Sequence, residues 1–141
     1  MRSRKDRIRH AILFEALGLL IATPLGALAF DHPLDSIGIV VIVSATLAMA
    51  WNYAYNLGFD HALLRLRGST AKTVRIRIAH ALLFELGLLL ILMPFIAWYL
   101  EVSLITAAVM DMGFAAFYVV FAFVYNWGYD IAFPVPTERL R

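Results

Sequence analysis

Not one cysteine occurs in the chain, which removes disulfide frameworks, thiolate metal sites and cysteine nucleophiles from consideration. Charge is scarce as well: 16% of residues are Asp, Glu, Lys or Arg, where about 25% is usual in a soluble domain. With 62% of its 141 residues hydrophobic, such a chain cannot cover a core with a hydrated surface, so its main solvent is lipid. A phosphate-binding loop, a metal-ligand cluster and a nucleophile constellation are also missing. An enzyme is therefore not expected, and neither a metal nor another cofactor is called for. The formal charge of +2 does not argue for a nucleic-acid partner, because the basic residues flank hydrophobic runs.

What is present is four such runs, at residues 8–30, 37–59, 78–100 and 105–129. Each exceeds the ~20 residues a helix needs to cross a hydrocarbon core of about 30 Å. Lipid offers the backbone no hydrogen-bond partners, so the spans must be helices. Asp31-His32-Pro33-Leu34-Asp35-Ser36 separates the first two and Glu101-Val102-Ser103 the last two, each short enough to close a hairpin. The middle connector, about residues 64–74, is longer and polar. All 12 Lys and Arg residues lie in the two tails or in this connector and its flanks, and neither hairpin turn has any. The positive-inside rule then places both termini and the connector in the cytoplasm. Residues 2–9 followed by an apolar run and Ala27-Leu28-Ala29 look like a cleavable secretory signal. Against that reading, the run contains Glu15 and is copied at the third span, where cleavage would serve no purpose.

A shift of 70 positions aligns Arg7-Ile8-Arg9-His10-Ala11-Ile12-Leu13-Phe14-Glu15 with Arg77-Ile78-Ala79-His80-Ala81-Leu82-Leu83-Phe84-Glu85. It pairs Pro24 with Pro94, and Tyr55-Asn56-Leu57-Gly58-Phe59-Asp60 with Tyr125-Asn126-Trp127-Gly128-Tyr129-Asp130. The chain thus reads as an all-α integral membrane protein of two tandem parallel-repeat hairpins, residues 1–70 and 71–141. Apolar positions drift between the copies while Glu, His, Asn and Asp stay. An ionised side chain at a helix centre costs at least about 2.5–3.5 kcal/mol, so retained polarity there marks candidate pathway or proton sites.

Glu15 stands about 10 Å into the first span at 1.5 Å per residue, on a face with Ala11, Gly18 and Ala22. Small neighbours let another helix approach, so the carboxylate is expected to face protein. Away from water it could hold a proton and yield it to an arriving cation. The bland reading is a protonated Glu that only joins helices. Glu85 has bulkier face-mates in Leu88 and Leu92, which weights it toward that structural role. His10 and His80 lie about 140° around their helices from the Glu and suit either a proton relay or a bond to a neighbouring helix end. Asn52, Asn56 and Asp60, and Asn126 with Asp130, form ladders spaced by four that join helices or line a path. Asp60 and Asp130 are expected to pair with Arg7 or Arg77. Trp51 and Tyr55, with the aromatics of the fourth span, suit an organic cation through cation–π contact, or else form an interfacial belt, which accounts for Trp127 and Tyr129. Asp111 is an exit-side acid or a solvated helix-end residue.

The pattern Arg7-x-x-His10-Ala11-x-x-Phe14-Glu15, its copy from Arg77 to Glu85, and Trp51-Asn52-x-x-x-Asn56-x-x-Phe59-Asp60 resemble motifs of the proteobacterial antimicrobial compound efflux family. The block from Tyr125 to Asp130 and Asp111-x-Gly113 are similar to family features too. The resemblance implies an inner-membrane antiporter that exports biocides such as chlorhexidine, and short diamines, against protons, with the coupling carboxylate at Glu15. The second copy departs from the first at Ala79, Phe121 and Ala122, where the first has Arg9, Trp51 and Asn52. Two equal sites are therefore not expected. Four helices are few to enclose a cavity, so a homodimer is. The contrasting reading is a non-transporting membrane subunit or assembly protein whose polar residues merely join helices.

Overall fold

The computed structural model describes residues 4–134, so Arg2, Arg139 and Arg141, which count in the charge argument, lie outside the described residues. Four helices follow one another: α1 (Arg4–Phe30), α2 (Leu34–Arg67), α3 (Val74–Leu100) and α4 (Leu104–Ala132). All four are long and apolar enough to cross a membrane. Large apolar side chains lie open along them, among them Leu28, Ile105 and Phe123. Only a lipid environment makes that exposure favourable.

The two short turns are built alike. Asp31 and Glu101 take the left-handed conformation, with φ of 53° and 54°. The next residue then returns its N–H to the helix just ended, His32 to the Ala27 carbonyl at 3.2 Å and Val102 to the Ala97 carbonyl at 3.1 Å. This gives one carbonyl near the end of each of α1 and α3 a partner beyond the helix. The first turn is shorter than the sequence suggests, because α2 starts at Leu34 and takes in Asp35 and Ser36. At its other end α2 runs to Arg67, past the apolar stretch, and stops at Gly68 with φ of 69°. Pro24 and Pro94 each lie inside a helix and remove one backbone donor there.

The chain divides into two compact units. In the first, comprising the residues up to Gly38 and those from Met112 onward, α1 lies along the C-terminal part of α4. In the second, Ile39–Asp111, α2 lies along α3. Within the first unit, Ala22, Gly26 and Ile37 are buried near the Asp31 turn. Within the second, Val40, Ile96, Leu100 and Met110 are buried at the matching end. The four most deeply buried large side chains, Ile37, Val40, Ile96 and Met110, all lie toward the turn ends of their helices, whereas His10, His80, Asn56, Asn126, Tyr55 and Tyr125 lie toward the opposite end.

Candidate functional site

Each unit carries one histidine–asparagine pair between its two helices. His10 Nε2 lies 2.8 Å from Asn126 Oδ1 in the first unit, and His80 Nε2 lies 3.0 Å from Asn56 Oδ1 in the second. Beside each pair a tyrosine hydroxyl donates to the histidine's own backbone carbonyl: Tyr125 to His10 and Tyr55 to His80, both at 2.8 Å. The rings pack in the same way. His10 is edge-on to Tyr125 and Tyr129, with centroids 5.0 and 4.6 Å away, and His80 meets Tyr55 and Phe59 at 4.9 and 4.6 Å. The two histidines therefore bond to a neighbouring helix, and a polar group inside lipid is satisfied by its mate.

This explains the spacing of the repeated motif. His10 and Phe14, four apart, share the face that meets α4, where Phe14 lies 5.1 Å from Phe121 and 5.3 Å from Tyr125. Glu15, one residue on, is carried about 100° away. The expectation that Glu15 faces protein is not met within the single chain: its face-mates Gly18 and Ala22 are buried, yet Glu15 and Ala11 are exposed. Tyr118 and Phe121 occupy the space above Gly18, one turn beyond Glu15. Glu85 stands at the same place in α3 and is likewise exposed. Among the described residues the side chains of Glu15, Glu85 and Asp111 hold no hydrogen bond or ion pair. Asp111 is half-buried and lies within electrostatic reach of Glu85 in the same unit.

The remaining polar residues mostly tie helices together. Trp51 Nε1 donates to the Phe84 carbonyl at 3.1 Å, and the ring fills the space beside Gly87. Asn56 Nδ2 donates to the Asn52 carbonyl and to Asn52 Oδ1 at 2.7 and 2.9 Å, so the ladder is a real chain of bonds from Asn52 to His80. Asp60 departs from the expected arginine pairing, because Lys72 of the connector places Nζ 2.9 Å from Asp60 Oδ1. Asp130 is exposed near the end of α4. Tyr129 is more than a belt residue: it is buried, accepts from Arg9 Nε at 2.9 Å and contacts Asp6 Oδ1 at 2.8 Å, while Arg9 also pairs with Asp6. The second unit has Ala79, Ile76 and Phe59 where the first has Arg9, Asp6 and Tyr129, so among the described residues that latch exists once.

The family model described as chlorhexidine efflux transporter matches residues 2–65 and again residues 72–135. The chain belongs to this family. Its two matched segments agree with the tandem hairpins, and a chlorhexidine efflux family member of four spanning helices is a membrane transporter, not an enzyme. A short-chain diamines transporter of Vibrio parahaemolyticus is 36% identical over 137 residues, covering 97% of this chain and 96% of the relative. Transporters of the same description from Acinetobacter baylyi and Acinetobacter baumannii are 35% and 30% identical over 126 residues, covering 89% of this chain and 88% and 86% of theirs. No solved structure matches the chain. Within this chlorhexidine efflux family member, sequence reasoning named the carboxylates, the His and Asn residues and Tyr55, the last as part of a cation-binding wall, but not the bracing of the histidine backbone by Tyr55 and Tyr125. Tyr55 and Tyr125 carried a readable signal, being retained across the 70-residue shift beside the two asparagines. Tyr118 carried none, because its counterpart is Ala48.

Proposed function

We propose that the protein exports cationic biocides of the chlorhexidine kind and short-chain diamines from the cytoplasm in exchange for protons, with Glu15 as the group that carries either proton or cargo. The observation behind this reading is the Glu15 carboxylate near the middle of a spanning helix, unpaired among the described residues. An ion left alone at that depth is costly, so the group binds a proton or a cation by turns. Diamine transport by three relatives and the family description support the cargo. Export then follows when the deprotonated carboxylate takes up a cationic cargo facing inward and an external proton displaces it facing outward. Glu85 and Asp111, equally unpaired, form a second acidic place of lesser or different use. Asn52, Asn56, Trp51 and Tyr55 define the wall of helix α2 near that second place.

The orientation follows from the distribution of Lys and Arg: both termini and the connector face the cytoplasm, in the bacterial inner membrane. The working form is a homodimer, in which a second copy covers the carboxylates that one chain leaves exposed. A pure assembly role accounts for His10, Asn126, His80 and Asn56, which do join helices. It gives no reason for three carboxylates that join nothing among the described residues.

Purified protein in detergent, given chlorhexidine or a diamine in weakly buffered solution, is expected to release protons, and Glu15→Gln is expected to abolish the release. Absence of any release from the unaltered chain would remove the coupling and favour the assembly reading.

A further inference from the structure

Tyr118 stands in the first unit with nothing bonded to its hydroxyl among the described residues. Its ring is held among aromatics, 5.2 Å from Phe117, 6.3 Å from Phe121 and 6.4 Å from Phe14. It presses on α1 at Gly18, where an added Cβ would meet Cε1 at 3.0 Å and the hydroxyl oxygen at 3.4 Å. Gly18 is one turn beyond Glu15 on the same face, so the hydroxyl is fixed over the backbone just past the carboxylate. The residue is half-buried, and its hydroxyl forms no hydrogen bond among the described residues. A phenol at membrane depth ordinarily finds a partner, because no water is there to serve. The Glu15 carboxylate also lacks a partner among the described residues and lies close enough to interact electrostatically with the tyrosine.

We propose that Tyr118 is the positioning residue for Glu15: its hydroxyl hydrogen-bonds the carboxyl group in one of the two loading states and holds it against the α4 aromatics. The proposal rests on the reading of Glu15 given above and deepens it. A rotation of the glutamate side chain toward Gly18 makes the bond, and the absence of a side chain at Gly18 keeps the route clear. The second unit has no equivalent, because Ala48 replaces the tyrosine and Trp51, spent on the Phe84 carbonyl, fills the space beside Gly87 instead. Glu15 and Glu85 therefore differ in chemistry although they match in sequence, and the first unit alone offers a hydroxyl that can follow the proton.

Infrared difference spectroscopy of the full chain in detergent, recorded between acid and neutral pH, tests this. The carboxyl band that disappears in Glu15→Gln marks Glu15. In Tyr118→Phe, which keeps the ring packing, that band is expected to move to higher wavenumber as the carbonyl loses a donor. An unmoved band overturns the proposal. Ring-labelled tyrosine in the otherwise unaltered chain provides a second readout: a tyrosine band that follows pH in the parent and is silent in Glu15→Gln supports the bond, and one that ignores Glu15 overturns it. Adding a diamine tests the underlying reading separately. If cargo leaves the Glu15 band untouched, the transport role of Glu15 fails, while the tyrosine bond is still decided by the band position.

Discussion

Trp51 occupies the volume that any side chain at Gly87 would need. The indole is held there by its bond to the Phe84 carbonyl and by Tyr55, whose ring lies 5.3 Å away. Gly87→Ala must therefore expel the ring or push α2 from α3. Overpacking of this kind costs about 1–3 kcal/mol, so the thermal midpoint in detergent should fall by several degrees, with a change in Trp51 emission. Gly18→Ala meets Tyr118 at 3.0 Å and Phe121 at 3.3 Å, less closely, and should cost less.

Glu101 holds a left-handed backbone that suits glycine better, as does Asp31. A residue with a Cβ incurs roughly 1–2 kcal/mol there, less for Asp, whose short side chain bonds locally. Glu101→Gly is expected to raise the unfolding midpoint and Asp31→Gly to raise it less. A drop in both would mean that these acids make contacts outside the turn that outweigh the strain.

The two tyrosine-to-carbonyl bonds have the same length, 2.8 Å. Tyr55→Phe and Tyr125→Phe should each cost about 1 kcal/mol, in equal measure, and the double variant should cost their sum, because the two sites share no partner. Chemical or thermal unfolding of the four proteins measures it. A much larger loss at one position would show that its hydroxyl serves the cargo as well, and substrate affinity would then fall with it.

Arg9 is the centre of a latch with Asp6, Tyr129 and the Phe133 ring, whose centroid is 3.8 Å from the guanidinium carbon. The arginine is half-exposed and its charge is well hydrated, so its replacement should lower stability only slightly. The clearer readout is salt: the difference between parent and Arg9→Ala should shrink as ionic strength rises. Arg9→Lys should rescue little, since an ammonium cannot reproduce the planar, directed contact with the hydroxyl and carboxylate together.

Much of this arrangement was legible before any coordinates. Four apolar runs of spanning length, two short turns free of Lys and Arg and a copy at 70 residues lead to α1 to α4 with little loss. Boundaries moved where polar residues simply continue a helix, as at Asp35 and from His61 to Arg67. Spacing also found His10, His80, Asn56 and Asn126, because retained polarity in lipid demands mates. It could not name the mates. Periodicity along one helix carries no information about which other helix it meets, and the pairing of α1 with α4 and α2 with α3 is tertiary. Glu15 shows the same limit from the other side. Small face-mates announced a covered stripe, but bulky Tyr118 and Phe121 fill the cover, and the carboxylate is left outside it. Lys72 pairs with Asp60 because the connector turns back at Gly68, a geometry that charge counting along the chain does not contain.

Both histidine–asparagine pairs join one residue from each half of the sequence: His10 with Asn126, and His80 with Asn56. A hairpin of residues 1–70 alone thus owns one donor group and one acceptor group that cannot satisfy each other in this arrangement. Two separate hairpins would have to meet to complete either pair, and their meeting would weaken with dilution in the bilayer. The connector between α2 and α3 converts that encounter into an intramolecular one, at an effective concentration of the order of millimolar for a short flexible link. Co-expressed half-chains should accordingly regain function only when both are abundant, and once the halves were fused, their sequences were free to diverge into the unequal surroundings of Glu15 and Glu85.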